Sequence, residues 1–166
     1  EVIEIEECLI AVNPINKLNI FNSKWDGEER LSVFASSLNE VSIHRLDKNI
    51  SGPSEINEVV EGNSYNISHG SFWQSHKNAP KILINKLMEF ANFETGDRVC
   101  DLYGGVGLFT APILKIIGET GEIHLIETNN RCIKDAKKIF EKEKNVIIHH
   151  GKVEQKLGKI KNIDAI

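Results

Sequence analysis

The sequence predicts an α/β chain: a small, mainly β region over residues 1–70, then a doubly wound parallel sheet with helices over residues 71–166. Three observations predict it. From Asp97 onward, short apolar runs alternate with stretches of helical periodicity, as they do in a parallel sheet wound with helices. Within that pattern, Arg98-Val-Cys-Asp-Leu102 runs straight into a turn rich in glycine, with Gly104, Gly105 and Gly107, and a helical pattern follows. Before residue 70, apolar and polar residues alternate with the period of two that half-buried strands show.

The elements follow in order. Val2-Ile-Glu-Ile5 alternates as a strand, and Ile15 to Phe21 reads as a short helix after Pro14. Glu28 to Asn39 and Val41 to Leu46 read as two strands around an Asn39-Glu40 corner, and Ser51-Gly-Pro-Ser54 as a turn. Val59-Val60 and Ser64 to Ser68 form a last hairpin around Glu61-Gly-Asn63. Residues 71–78, Ser-Phe-Trp-Gln-Ser-His-Lys-Asn, join the two regions. Phe72 reads as packing there, whereas the Gln74 amide must find hydrogen-bond partners. Asn78 or Ser75 caps the next helix, with Pro80 in its first turn and Ile82, Leu83, Leu87, Phe90 and Ala91 as its core stripe.

Glu94-Thr-Gly-Asp97 is a turn, and a helix over Val106 to Ile117 contains Pro112, which should cost a backbone bond and bend it. The run Ile123 to Ile126 is a second strand, tipped by Glu127. Asn129 or Asn130 caps a helix with inner face Cys132, Ile133, Ala136, Ile139 and Phe140. Its other face, Lys134, Lys137, Lys138, Glu141 and Lys142, reads as solvated. Asn145 to Ile148 is a third strand, Gly151 to Gln155 a loop, and Asn162 to Ile166 the beginning of another strand.

Composition narrows the class. Hydrophobic residues at 40% and charged residues at 27% of 166 describe an ordinary globular protein. No apolar run approaches a membrane span and no signal-peptide pattern opens the chain. The net charge of −4 is not the basic footprint of a nucleic-acid binder, although a local patch can act inside an acidic chain. Cys8, Cys100 and Cys132 show no C-x-x-C spacing, and so sparse and odd a set argues for a reducing, cytoplasmic setting without disulfides. The chain opens on Glu1 rather than Met and stops within an apparent strand, so it reads as an internal fragment.

The glycine turn points to a nucleotide-like ligand. Strand, glycine turn and helix let a backbone approach a ligand closely and present unpaired N–H groups. The dinucleotide fingerprint G-x-G-x-x-G/A fails, because Thr110 stands at its third glycine position. The S-adenosylmethionine pattern, acid-x-x-x-G-x-G, fits from Asp101 to Gly107. Glu127, twenty residues after Gly107, supplies the acid at the second strand tip that can accept both ribose hydroxyls.

Phe72-Trp73-Gln74, a helix, Gly96-Asp-Arg-Val and then Asp101-Leu-Tyr-Gly-Gly-Val-Gly-Leu-Phe109 together resemble the RNA (uracil-5-)-methyltransferase family. The resemblance is strongest over residues 70–166. It implies a Rossmann-like S-adenosylmethionine methyltransferase domain with a truncated sheet, acting on C5 of uridine in tRNA or rRNA. It also implies that Gln74 hydrogen-bonds the cofactor, Tyr103 lines its pocket and Glu127 binds the ribose. Leu108 stands where some members carry a cofactor-binding Asn, and Lys152 where a polar or acidic residue near the adenine is common. Cys8, in Glu7-Cys-Leu-Ile10, resembles the last cysteine ligand of the iron–sulfur cluster of some members, whose other three ligands would precede Glu1.

Methylating uracil C5 needs a thiolate that adds to C6 and a base that later removes the C5 proton. In the family both follow the segment present here, so no catalytic residue and no metal ligand is assigned to this chain, which alone should be inactive. The candidate cofactor residues are Gln74, Asp101, Tyr103, Gly105, Gly107 and Glu127. The expected partner is RNA, with no membrane and no protein partner implied. The competing readings are a methyltransferase acting on a small molecule or a protein, and a non-catalytic binding module.

Overall fold

The structure, a computed structural model, describes residues 5–20, 23–25 and 30–166. It divides into two compact units, Glu1–Glu58 and Val59–Ile166. In the first, α1 (Asn13–Asn16) is one turn with Pro14 at its start. It is shorter than the helix expected over 15–21, because Asn19 adopts a left-handed φ of 54° that no helix continues through. The strand expected over Val2 to Ile5 lies outside the described residues, apart from Ile5.

β1 (Leu31–Ala35) and β2 (Val41–Arg45) pair antiparallel with Leu31 opposite Arg45 and Ala35 opposite Val41. Asn39, at φ 61°, makes the expected corner between them. β3 (Lys48–Ser51) pairs with β2 and is a strand that the sequence pattern did not show. Its residues are mostly exposed, so no apolar alternation marks it. β4 (Glu55–Val60) and β5 (Asn63–Ser68) form a two-stranded ladder, and the division between the units falls within β4. Glu61 and Gly62 both have positive φ, as the favoured two-residue hairpin requires.

The second unit is built on the parallel order β6 (Arg98–Leu102), β7 (Glu122–Glu127) and β8 (Val146–His150). On the free side of β6 a parallel bridge joins Val99 and Ala165, and Cys100 N–H donates to the Ala165 carbonyl at 3.0 Å. Successive strands are therefore added first on one side of β6 and then on the other. Strand order reverses at β6, and in such sheets ligands bind beyond the carboxyl end of that strand.

Helices α2 (Ala79–Phe90), α3 (Thr110–Ile117), α4 (Asn130–Ile139) and the short α5 (Val153–Lys156) complete the unit, with a 3-10 turn at Leu157–Lys159. One core cluster joins Val99, Ile113, Ile117 and Ile123 with Leu87 and Met88, and a second joins Leu125, Ala136 and Phe140 with Ile139 and Ile148.

The structure differs from the sequence pattern at α2, α3 and α5. In α2 the inward face is Pro80, Ile84, Leu87 and Met88, while Ile82 and Phe90 are exposed, Phe90 by 77%. Two positions along a helix point to opposite sides, so burying Ile84 turns Ile82 outward. Helix α3 begins at Thr110 rather than Val106, which makes Pro112 its third residue. The N–H that Pro112 lacks would have had no partner within the helix, so no bond is lost there. Residues after Gly151 form the short helix α5 instead of a loop.

Candidate functional site

The carboxyl end of β6 is shaped by Asp101. Its carboxylate is buried and accepts the Thr110 hydroxyl proton at 2.6 Å, tying the strand tip to the start of α3. Burial pushes its pKa up to about 6, against the pull of the Thr110 hydroxyl and N–H, and the nearby Glu127 charge adds to the rise. Tyr103 follows at a left-handed φ of 57° and is 68% exposed, so the chain turns sharply and the residue faces outward.

The glycines then divide into two kinds. A Cβ on Gly104 would lie 2.7 Å from Leu125 Cγ, and one on Gly107 only 2.3 Å from the Phe140 ring. Those two permit close packing beneath the turn. A Cβ on Gly105 would meet nothing within 4 Å, so this glycine faces open space.

Glu127 closes the cradle from the next strand. Its Oε2 accepts from Gly105 N–H at 3.0 Å, and its Oε1 accepts from the N–H groups of Thr128 at 2.6 Å and Asn129 at 2.7 Å. Asn129 in turn caps α4, its Oδ1 accepting from Arg131 N–H at 2.8 Å and Cys132 N–H at 3.4 Å. One carboxylate thereby joins the glycine turn, the tip of β7 and the entry to α4.

The connector Phe72-Trp73-Gln74 crosses the mouth of this turn. The Trp73 ring lies 5.1 Å from that of Tyr65, and the buried Tyr65 hydroxyl donates to the Leu108 carbonyl at 3.0 Å. Burial raises the Tyr65 phenol well above its ordinary range. A cavity of about 60 Å³ is lined by Phe72, Trp73, Gln74, Tyr103, Gly105 and Leu108, among others. A larger apolar hollow of about 270 Å³ lies between α2, α3 and β6, but neither Gln74 nor Glu127 lines it.

The predicted residues thus fall into two groups. Gln74, Tyr103 and Gly105 share the small cavity, and Glu127 reaches it through Gly105. Asp101 and Gly107 do not line it; they hold the turn from below. Lys152 is the residue before α5 and does not line the cavity either.

Sequence reasoning missed Asp135. It is 0% exposed and accepts from Ser68 N–H at 2.9 Å, Ser68 Oγ at 2.6 Å and Ser71 Oγ at 2.6 Å. The one available signal was a charge next to Ala136 on the inner face of an amphipathic helix.

Two of the three cysteines are poorly placed for reaction. Cys100 and Cys132 are buried and burial pushes both thiols up. Cys132 Sγ accepts from Phe72 N–H at 3.2 Å. Cys8 is half-buried in a turn, its backbone paired in both directions with the Asn16 side chain. Among the described residues no His, Cys, Asp and Glu cluster could hold a metal ion, and no helix is long and apolar enough to cross a membrane.

A parallel sheet with its switch point under a glycine turn, and an acid on the neighbouring strand tip, defines an S-adenosylmethionine-dependent methyltransferase domain of Rossmann-like fold. TYW2 of M. jannaschii in complex with AdoMet shares that fold, with a TM-score of 0.51 and 20% identity, covering 64% of this chain and 48% of that one. Residues 57–166 match the family model of protein-L-isoaspartate(D-aspartate) O-methyltransferase (PCMT), and by that match the chain belongs to this methyltransferase family.

Its curated relatives bear out the resemblance to RNA methyltransferases. The chain is 28% identical over its whole length to an uncharacterized RNA methyltransferase of Streptomyces avermitilis, covering 45% of that protein. Over 55% of its length it is 35% identical to the 23S rRNA (uracil(747)-C(5))-methyltransferase of Pyrococcus abyssi, covering 21% of it. The chain therefore spans less than half the length of these curated relatives.

Proposed function

We propose that this chain is the cofactor-binding part of a cytoplasmic enzyme that methylates C5 of uridine in tRNA or rRNA with S-adenosylmethionine. The observation that carries the reading is the meeting of Gln74, Tyr103 and Gly105 around one cavity, with the Glu127 carboxylate bonded to the Gly105 N–H at its edge. The residues fit the cofactor. The space over Gly105 is open, and Glu127 Oε2 carries a single protein donor, so lone pairs remain for a ribose hydroxyl.

In this reading Glu127 accepts the ribose hydroxyls, Tyr103 walls the pocket and Gln74 hydrogen-bonds the cofactor from the connector. Asp101 and Gly107 keep the turn in its shape. When bound, the cofactor supplies an electrophilic methyl group on a sulfonium. Leu108, which stands where the resemblance implies a cofactor-binding Asn in some members, is buried. Cys100 and Cys132, buried and with their thiols raised, are poor sources of a thiolate for addition to uracil C6.

The family model favours a second acceptor, a protein carboxyl group, since its description names isoaspartate. The curated relatives and the Phe72-Trp73-Gln74 connector favour RNA. Incubating the intact protein with labelled S-adenosylmethionine and either unmodified RNA or an isoaspartyl peptide separates them. The RNA reading expects label in 5-methyluridine; label only in the peptide contradicts it.

A further inference from the structure

The turn before the cofactor connector is bound to one helix by most of its residues. Asn129 Nδ2 donates to the Gly70 carbonyl at 3.2 Å, Arg131 Nη1 donates to the His69 carbonyl at 3.1 Å, and Phe72 N–H donates to Cys132 Sγ at 3.2 Å. Gly70, at φ 83°, runs so close to α4 that a Cβ there would lie 1.9 Å from Arg131 Nη1. Deepest in this contact is Asp135, wholly buried, with its three bonds from Ser68 and Ser71. Burying a carboxylate is costly unless it is hydrogen-bonded, and here all three bonds come from the turn.

We propose that Asp135 is a positioning residue for cofactor binding: its carboxylate holds the 68–71 turn on α4 and so sets Gln74 over the glycine turn opposite Glu127. The inference rests on the cofactor reading above. Its geometry is that of one rigid helix serving two groups. The first end of α4 is fixed to Glu127 through Asn129 N–H, and Asp135, six residues on, fixes the connector. Trp73 continues the chain of contacts through Tyr65 to the Leu108 carbonyl, so the connector is anchored at α4 and at the glycine turn alike. A shift of the 68–71 turn moves Gln74 relative to Glu127 without touching either.

The test uses the full chain carrying Trp25→Phe, which leaves Trp73 as the one tryptophan of the two. S-adenosylhomocysteine is the probe, titrated by calorimetry, alongside Trp73 emission and amide exchange over residues 68–74. Asp135→Asn is expected to weaken binding by about tenfold, the ratio that loss of one charge-assisted bond produces. It should also red-shift Trp73 emission in the absence of ligand. Ser71→Ala should act in the same direction more weakly, and Ser71→Thr, which keeps a hydroxyl, should restore both readouts.

If Asp135→Asn and Ser71→Ala lower Tm while leaving affinity and Trp73 emission unchanged, Asp135 is a packing residue only and the inference is overturned. If the chain without these substitutions binds no S-adenosylhomocysteine, the cofactor reading fails separately. Emission and exchange in Ser71→Ala then still decide whether Asp135 holds the connector: a shift supports it and no shift overturns it.

Discussion

Replacing Glu127 by Gln exchanges one carboxylate oxygen for an amide nitrogen. In the structure Oε1 accepts from Thr128 and Asn129 N–H, and Oε2 from Gly105 N–H. If the amide oxygen keeps the first pair, the new NH2 group faces the Gly105 N–H, donor against donor. The variant therefore loses the bond to the glycine turn and the acceptor proposed for the ribose. A hydrogen bond to a charged group contributes about 1.5–3 kcal/mol, so binding should weaken roughly ten- to hundredfold. Stability should fall by only about 1 kcal/mol, because the site is part-exposed and water can satisfy the freed Gly105 N–H. Calorimetric titration with S-adenosylhomocysteine, paired with a urea melt, separates the two effects. Unchanged affinity in a folded Glu127→Gln protein would refute the placement of the ribose.

The two kinds of glycine should respond in opposite ways. Gly107→Ala drives a Cβ into Phe140 at a φ of 95° and should destabilise the fold by about 2–4 kcal/mol in a urea melt, whereas Gly105→Ala should cost about 1–2 kcal/mol yet impair cofactor binding. Asp101 predicts a pH dependence. Its folded pKa of about 6 lies above the ordinary 3.8, so the native state holds the proton more tightly and stability falls as pH rises between those values. The fall should be about 2–3 kcal/mol, and Asp101→Asn should flatten that stretch of a stability-versus-pH curve. Finally, 5-fluorouridine RNA with S-adenosylmethionine should trap no covalent adduct on Cys100 or Cys132, because both are buried. An adduct on gel electrophoresis that vanishes on mutating either of them would contradict this.

What was legible in the sequence was local. Strand, turn and helix over 98–117 and the acid at Glu127 lie within one βαβ unit, and short-range patterns report them. What was illegible depended on distant partners or on a choice among equal patterns. Asp135 stands among lysines, and its serine partners are 64 and 67 residues away. In α2, Ile82, Leu83, Ile84, Leu87, Met88 and Phe90 support several stripes equally, and only packing of Leu87 and Met88 against the core around Val99 and Ile113 selects one. β3, with Lys48, Ile50 and Ser51 exposed, offers no alternation because little of it is buried.

S-adenosylmethionine is proposed to bind between Glu127 and Gln74 over Gly105. A crystal structure of the chain with S-adenosylhomocysteine tests it most directly. The ribose hydroxyls should lie within hydrogen-bond reach of the Glu127 carboxylate, with the ligand passing over Gly105 toward Gln74. Density for the ligand in the apolar hollow beside α2, or none at saturating concentration, would contradict it.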